Sequence, residues 1–362
     1  MYGARLAAAL RARTGAQLFG MGGPRMVEAG VELIADYHEV AVVGLAEALH
    51  KIPAAISIQQ RLAREAARRM ASLAILIDSP DTHFGVARRL KKIGVPVGYF
   101  IGPQVWAWRS GRVQTMRRLV KRIVVIFPFE EKIYRDAGIP VDFVGHPLVD
   151  VVRPTMSRAD FAASHALDPN RLIVALLPGS RRGEISLHFP TIVKACELLA
   201  SAMKSSGIQF VHAAAPGLPE EFLARYSAHS APPITRVVGA AYDALAAADC
   251  AVVASGTATV EAALLGTPMV VIYRVSPISA FILRRMIHTP FIGMVNLIAG
   301  KQVAPELIQD QFTPANVERE VRKLLESPTA RDEMKAALGQ VRARLGPGGA
   351  IERAADVFAR ML

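Results

Sequence analysis

Short apolar runs rich in Val, Ile, Leu and Ala recur along the chain, separated by longer stretches in which apolar residues return every third or fourth position. The short runs have strand length and β-branched character, and the longer ones carry helical periodicity. In the first half the pattern predicts strands over 17–20, 73–78, 95–101, 123–127 and 141–145, with helices over 2–13, 56–70 and 84–93. In the second half it predicts strands over 172–177, 209–214, 236–238, 251–254 and 269–273, again with helices between them. Such alternation marks parallel sheets with crossover helices, so the fold class is α/β with two similar wound sheets. The stretch 150–170 lacks strand character and contains Pro154 and Pro169, which makes it the linker candidate and puts a boundary near 160. From Pro314 onward three helical segments follow, the last set off by Gly346-Pro347-Gly348-Gly349.

A length of 362 residues suits two domains, each able to bury a substantial core. Hydrophobic residues make up 52% and mean hydropathy is +0.28, yet charges interrupt every apolar run. None reaches the ~18 residues of a spanning helix, so no transmembrane segment is expected. The opening Met1–Arg13 has too short an apolar stretch for a secretory signal, and the expected location is the cytoplasm. A formal charge of +12 calls for an anionic partner: nucleic acid, anionic lipid or a phosphorylated substrate. Aromatic residues are only 6%, without zinc-finger spacing or a base-stacking signature, which argues against nucleic acid. Cys196 and Cys250 sit in apolar patterns and read as buried free thiols. The nine histidines carry no metal signature; His146, in Gly145-His146-Pro147, reads either as a substrate contact or as a turn residue.

Four segments carry candidate chemistry. Leu177-Pro178-Gly179-Ser180-Arg181-Arg182-Gly183-Glu184 joins a strand to a helix, where glycine lets backbone amides approach an anion and Arg181 can pair with a phosphate. A plain strand-to-helix turn uses the same residues. Ala254-Ser255-Gly256-Thr257-Ala258-Thr259-Val260-Glu261 is a second such junction, with small residues and hydroxyls suited to a diphosphate and Glu261 placed to accept from ribose hydroxyls. Two such loops in one half-chain favour a nucleotide diphosphate over two unrelated caps. Leu76-Ile77-Asp78-Ser79-Pro80-Asp81 ends a strand with two carboxylates, readable as a general base or as helix caps. Gly102-Pro103-Gln104-Val105-Trp106-Ala107-Trp108-Arg109 holds both tryptophans, which suit a sugar or acyl surface if exposed and fill a core if buried. The run after it, with Arg109, Arg112, Arg117, Arg118, Lys121 and Arg122 and no acid, reads as a lipid-surface helix or as a docked helix with a solvated basic face.

These segments together resemble the lipid-A-disaccharide synthase family. Gly102 to Arg109, Phe127-Pro128-Phe129-Glu130, Phe143-Val144-Gly145-His146-Pro147, Leu177 to Arg181, Ala254 to Ala258 with Glu261, and Asn296-Leu297-Ile298-Ala299-Gly300 with Pro305-Glu306 match its motifs in order. The resemblance runs from about Gly3 to the C-terminal helices. It implies two Rossmann-like domains facing across a cleft, the GT-B architecture: an acceptor-side domain over 1–160, a UDP-sugar domain over 161–340, and a C-terminal helix in 341–362 packing back on the first.

The implied reaction is inverting transfer from UDP-2,3-diacylglucosamine to the 6-hydroxyl of 2,3-diacylglucosamine 1-phosphate, giving the β-1,6 disaccharide phosphate of lipid A and UDP. It implies no cofactor and no metal, and an anionic membrane surface as partner at the inner face of the inner membrane. By the same resemblance Asp78 is the base and Arg181 stabilises the leaving diphosphate. Gly179, Ser180, Ser255, Gly256 and Thr257 line it, Glu261 meets ribose, and Asn296 and Glu306 lie on the UDP side. Members begin with a strand and a Gly-Glu-x-Ser-Gly-Asp-type loop ahead of the segment matched by Gly3-Ala4-Arg5-Leu6, whereas this chain starts at Met1-Tyr2. The expectation is therefore that the first sheet lacks one central strand.

Overall fold

The computed structural model describes residues 2–39, 52–103, 111–204, 207–227, 232–277, 279–281 and 289–362. The chain divides into two compact units, Met1–Pro147 with Leu345–Leu362, and Leu148–Arg344. The sequence pattern put the linker at 150–170; the structure attaches that stretch to the second unit. Asp243 accepts from Thr155 N (2.6 Å), Thr155 Oγ1 (3.0 Å) and Met156 N (3.2 Å), and Arg158 reaches Asp249 (3.0 Å) and Ala247 O (2.8 Å). These polar partners lie too far along the chain for local periodicity to reveal them.

In the first unit β1 (Leu18–Gly22) pairs in parallel with β2 (Val31–Asp36), and β3 (Ala74–Ile77), β4 (Val97–Phe100), β5 (Arg122–Val125) and β6 (Val141–Phe143) form a separate four-stranded parallel sheet in that order. β4 is buried at every position because helices cover both faces of a parallel sheet, whereas β1 and β3 are mostly half-buried at the borders of their sheets. The core gathers Leu76, Phe84, Leu90, Val97, Tyr99, Met116, Ile123 and Tyr134 from these strands and their crossover helices. The C-terminal helix Ala350–Ala359 returns to this unit and packs on the opening helix Tyr2–Thr14. There Phe358 lies edge-on to Phe100 at 6.5 Å, and Arg13 meets Asp356 at 2.5 Å.

The second unit holds one six-stranded parallel sheet built from β7 (Ile173–Leu177), β8 (Gln209–Ala214), β9 (Ile234–Val238), β10 (Cys250–Ala254), β11 (Met269–Tyr273) and β12 (Glu306–Ile308). Its spatial order is β12-β11-β10-β7-β8-β9. Chain order runs outward from β7 to β9 on one side and from β10 to β12 on the other, so β7 and β10 are neighbours where the winding reverses. That is the switch point at which open α/β sheets bind ligands, outside the carboxyl ends of the strands. Every residue of β7 and β10 is buried, as a doubly covered parallel strand requires. Cys196 and Cys250 are buried free thiols in this unit.

Candidate active site

The loops Pro178–Arg181 and Ser255–Thr257 leave the neighbouring strands β7 and β10, registered Leu177 to Val253, at the same edge. They are alike in sequence but differ in state. After β7, the helix Arg182–Ala202 is closed by its own acid: the Glu184 carboxylate accepts from Ser180 N (3.0 Å) and Arg181 N (3.3 Å) and pairs with the Arg181 guanidinium at 3.0 Å. Gly179 adopts φ +127°, a backbone that L side chains rarely take, and a Cβ there would also stand 2.7 Å from Glu184 Cβ. The Arg181 side chain remains 82% exposed.

After β10, the cap position of the helix Thr257–Leu265 is Gly256, which has no side chain to close it, and among the described residues no side-chain bond to its first turn is seen other than that of Thr259. Its N-terminal amides therefore face outward with the positive end of the helix dipole. Gly256 adopts φ +148°, and the space where its side chain would stand is open to at least 4 Å. Thr257 is exposed, while Thr259 turns inward and donates to Gly256 O at 2.8 Å. Glu261 is half-buried and accepts from Tyr242 OH at 3.3 Å; burial raises its pKa above the usual carboxylate range.

The remaining expected residues brace this edge from beneath. Ser255 donates its amide to Ile272 O (2.9 Å) and its hydroxyl to Ile292 O (2.8 Å). Glu306 accepts from Ile292 N and Gly293 N, both at 2.9 Å, and from Asn296 Nδ2 at 2.8 Å. Asn296 is fully buried, its amide also bonded to Val303 N, Ala304 N and Ala304 O. Asn296 and Glu306 thus reach the edge through the backbone of Ile292 and Gly293.

Two residues that sequence reasoning passed over tie the edge together. His188 Nδ1 lies 2.6 Å from Pro178 O, and its Nε2 accepts from Arg274 N at 2.9 Å, linking the β7 loop to the end of β11. Arg274 in turn donates to Thr191 Oγ1 (3.0 Å) and Gln309 O (3.2 Å) and lies over the Phe312 ring. A small cleft of about 210 Å³ opens beside it, but its lining groups Thr191 and Thr313 are already bonded within the protein.

In the first unit Asp78 follows β3 and is exposed. Its backbone N–H continues the ladder to Phe100 O at 3.0 Å, after which Asp78 (φ +53°) and Ser79 (φ +44°) both turn left-handed into the helix Pro80–Lys92. The Asp78 carbonyl accepts from Tyr99 OH (2.6 Å) and His83 Nδ1 (2.7 Å). His146 is buried against Phe127, and burial lowers its pKa to about 4. Gln104, Val105, Trp106, Ala107, Trp108 and Arg109 lie outside the described residues. Among the described residues no group of three or more His, Cys, Asp or Glu side chains is placed to hold a metal ion.

The family model described as lipid-A-disaccharide synthetase matches residues 1–352. The chain belongs to that family. It is 45% identical over 357 residues to the lipid-A-disaccharide synthase of Syntrophus aciditrophicus, covering 98% of this chain and 93% of that one. The corresponding protein of Geobacter metallireducens is 44% identical over 354 residues, covering 98% and 92%. Membership makes the chain a glycosyltransferase of lipid A biosynthesis, a hexosyltransferase. Solved structures agree in fold: UDP-GlcNAc 2-epimerase from Neisseria meningitidis superposes with a TM-score of 0.65 at 13% identity, covering 99% and 96% of the two chains. Acinetobacter baumannii MurG gives 0.58 at 14%, with the same coverage. The two units are accordingly Rossmann-like domains of the GT-B class.

Proposed function

We propose that this synthase transfers the sugar of UDP-2,3-diacylglucosamine to the 6-hydroxyl of 2,3-diacylglucosamine 1-phosphate with inversion, at the cytoplasmic face of the inner membrane. The observation that carries the donor side is the pair of loops at the switch point of the second unit. One offers an exposed cation, Arg181, and the other a helix N-terminus whose cap position is an open glycine. UDP is the ligand class these groups fit: Arg181, Thr257 and the amides about Gly256 meet the diphosphate, and Glu261 faces ribose. Gly179 and Ser180 shape the cationic loop, while Ser255, Asn296 and Glu306 hold the floor beneath it.

Inversion requires a single in-line displacement. Asp78 removes the proton from the acceptor 6-hydroxyl as that oxygen attacks the anomeric carbon, and the bond from that carbon to the diphosphate oxygen breaks. Arg181 and the helix dipole compensate the charge that gathers on departing UDP. No helix among the described residues is long and apolar enough to cross a membrane. Acylated substrates therefore imply peripheral docking, which the charge of +12 favours on anionic lipid.

Asp78→Asn tests the chemical step, with disaccharide formation and UDP affinity measured together. Loss of a general base lowers turnover ~10²–10⁴-fold and leaves UDP binding within a few-fold. An Asp78→Asn enzyme with wild-type turnover refutes the assignment. Assays with acylated and non-acylated donors in parallel test the substrate class.

A further inference from the structure

The turn after β3 is held in an unusual way. Asp78 and Ser79 are consecutive non-glycine residues at positive φ, a conformation that persists only where surrounding contacts enforce it. Those contacts converge on one atom. The Asp78 carbonyl oxygen has two lone pairs, and both are taken, by Tyr99 OH and His83 Nδ1. Tyr99 is fully buried on β4, directly opposite Leu76 in register, so its hydroxyl is fixed by the sheet. His83 is on the first turn of the helix Pro80–Lys92, and its own amide donates to Ser79 O at 3.1 Å.

That first turn is itself pinned. Gln59, on the helix Ile52–Arg68, donates to Thr82 O at 3.2 Å, and its amide stands where a Cβ on Gly85 would be. Because a carbonyl can only accept, His83 carries its proton on Nδ1, which leaves Nε2 as the acceptor of a neutral ring. Partial burial of the ring also lowers its pKa, favouring that neutral form.

We propose that His83 and Tyr99 are positioning residues which, by clamping the Asp78 carbonyl, hold the left-handed turn that aims the Asp78 carboxylate. The proposal rests on Asp78 being the base. The backbone angles of Asp78 set the direction of its Cα–Cβ bond. Without the two donors the turn relaxes toward ordinary negative φ, and the carboxylate swings away from the edge where it works. A displacement near 1 Å is worth up to ~10²-fold in rate.

The test compares His83→Leu, His83→Asn and Tyr99→Phe, alone and combined with Asp78→Asn, by kcat, KM for the donor and thermal melts. His83→Leu is expected to lower kcat ~10–10²-fold with donor KM nearly unchanged, since orientation of the base is lost and donor binding is not. His83→Asn is expected to recover most of that loss, because its amide nitrogen takes the place of Nδ1 while supplying no basic nitrogen. Tyr99→Phe should also lower kcat, with the ring packing kept.

In the Asp78→Asn background none of these changes should lower the rate further, as residues acting through one group are not additive. Wild-type kcat in His83→Leu overturns the proposal. So does an Asn variant as slow as the Leu variant at equal melting temperature, which would make Nε2 itself the working atom. An additive loss in the Asp78→Asn background also overturns it. A fully active Asp78→Asn enzyme instead removes the base assignment, so the two failures are told apart.

Discussion

Arg181 and Thr257 stand on adjacent loops but contribute differently, and the difference is measurable. Arg181 is 82% exposed and already paired with Glu184, so its ion pair adds little to folding and is free to exchange carboxylate for phosphate. Thr257 lies at the N-terminal end of its helix. Both Arg181→Ala and Thr257→Val should weaken UDP by calorimetry, Arg181→Ala by roughly tenfold or more, as expected for one charge-assisted contact of ~1.5–3 kcal/mol. Unchanged affinity in both variants places the nucleotide elsewhere. The loops were legible in sequence because glycine and small residues are the ones that permit this backbone. Glu184, His188 and Tyr99 were not, because each acts through a partner brought near only by the fold: Glu184 reads as a helix acid, His188 as a mid-helix residue, and Tyr99 as a strand aromatic. His212 on β8 is a further case, fully buried, with neither ring nitrogen bonded among the described residues and Arg236 opposite it in register. Burial, and secondarily Arg236, hold its pKa down to about 4 against an ordinary 6.5. The unfolded chain thus binds more protons between these values. This contribution to stability is complete above pH 6.5 and is lost as pH falls toward 4, amounting to about 2 kcal/mol by pH 5. Urea midpoints at pH 7.5 and pH 5 should draw together in His212→Leu; an undiminished pH effect excludes this histidine as its source.

At the scale of elements, β3, β4, β7, β8, β10 and β11 fall where the apolar runs predicted them, and β8 and β11 do so to the residue. β2 and β12 were missed. Val31–Asp36 is broken by Glu32 and carries a register shift in its pairing with β1, and Glu306–Ile308 is too short for a periodicity to appear. Glu306 is visible in the sequence through the motif Pro305-Glu306 and not through its strand. The helix Pro80–Lys92 begins earlier than the expected 84 because Pro80 at its first position fits a helix start, although no side chain caps it. The C-terminal helix makes the strongest packing claim. A Cβ on Gly98 of β4 would stand 2.6 Å from a Phe358 ring carbon, so the strand accepts this helix only because that position has no side chain. Gly98→Ala should lower stability by ~1–3 kcal/mol, the range for overpacking, and pairing it with Phe358→Leu should return part of the loss. Thermal melts of the three variants decide it. A silent Gly98→Ala means the helix can shift on the sheet, and a double variant worse than the sum means the ring was not the obstacle.

For the whole molecule, the α/β class was legible because each strand-helix alternation repeats the same local pattern, but the expected pair of similar sheets was not met: the first unit divides into the β1-β2 pair and a four-stranded sheet. The boundary depended on Asp243 and Arg158, whose long-range bonds leave no such trace. Charge is the other property of the whole, and it is unevenly spread. From Thr82 to Phe129 the sequence contains no Asp or Glu while Lys and Arg recur throughout. Parallel strands joined by crossover helices bring the last turns of Pro80–Lys92 and Arg112–Leu119 to one edge of the first sheet, where each chain enters β4 or β5. Lys91, Lys92, Arg117, Arg118 and Lys121 are exposed there, with no carboxylate bonded to any of them among the described residues. Such a distribution attracts an anionic bilayer over about a Debye length, ~8–10 Å at ordinary ionic strength, and added salt shortens that reach. Apolar insertion is not screened in this way. The protein should therefore bind vesicles containing anionic lipid more tightly than neutral ones. Raising salt should release part of the bound protein, and detergent should be needed for the remainder. Co-sedimentation across a salt series measures both parts: equal binding to neutral and anionic vesicles removes the electrostatic part, and complete release by salt removes the apolar one.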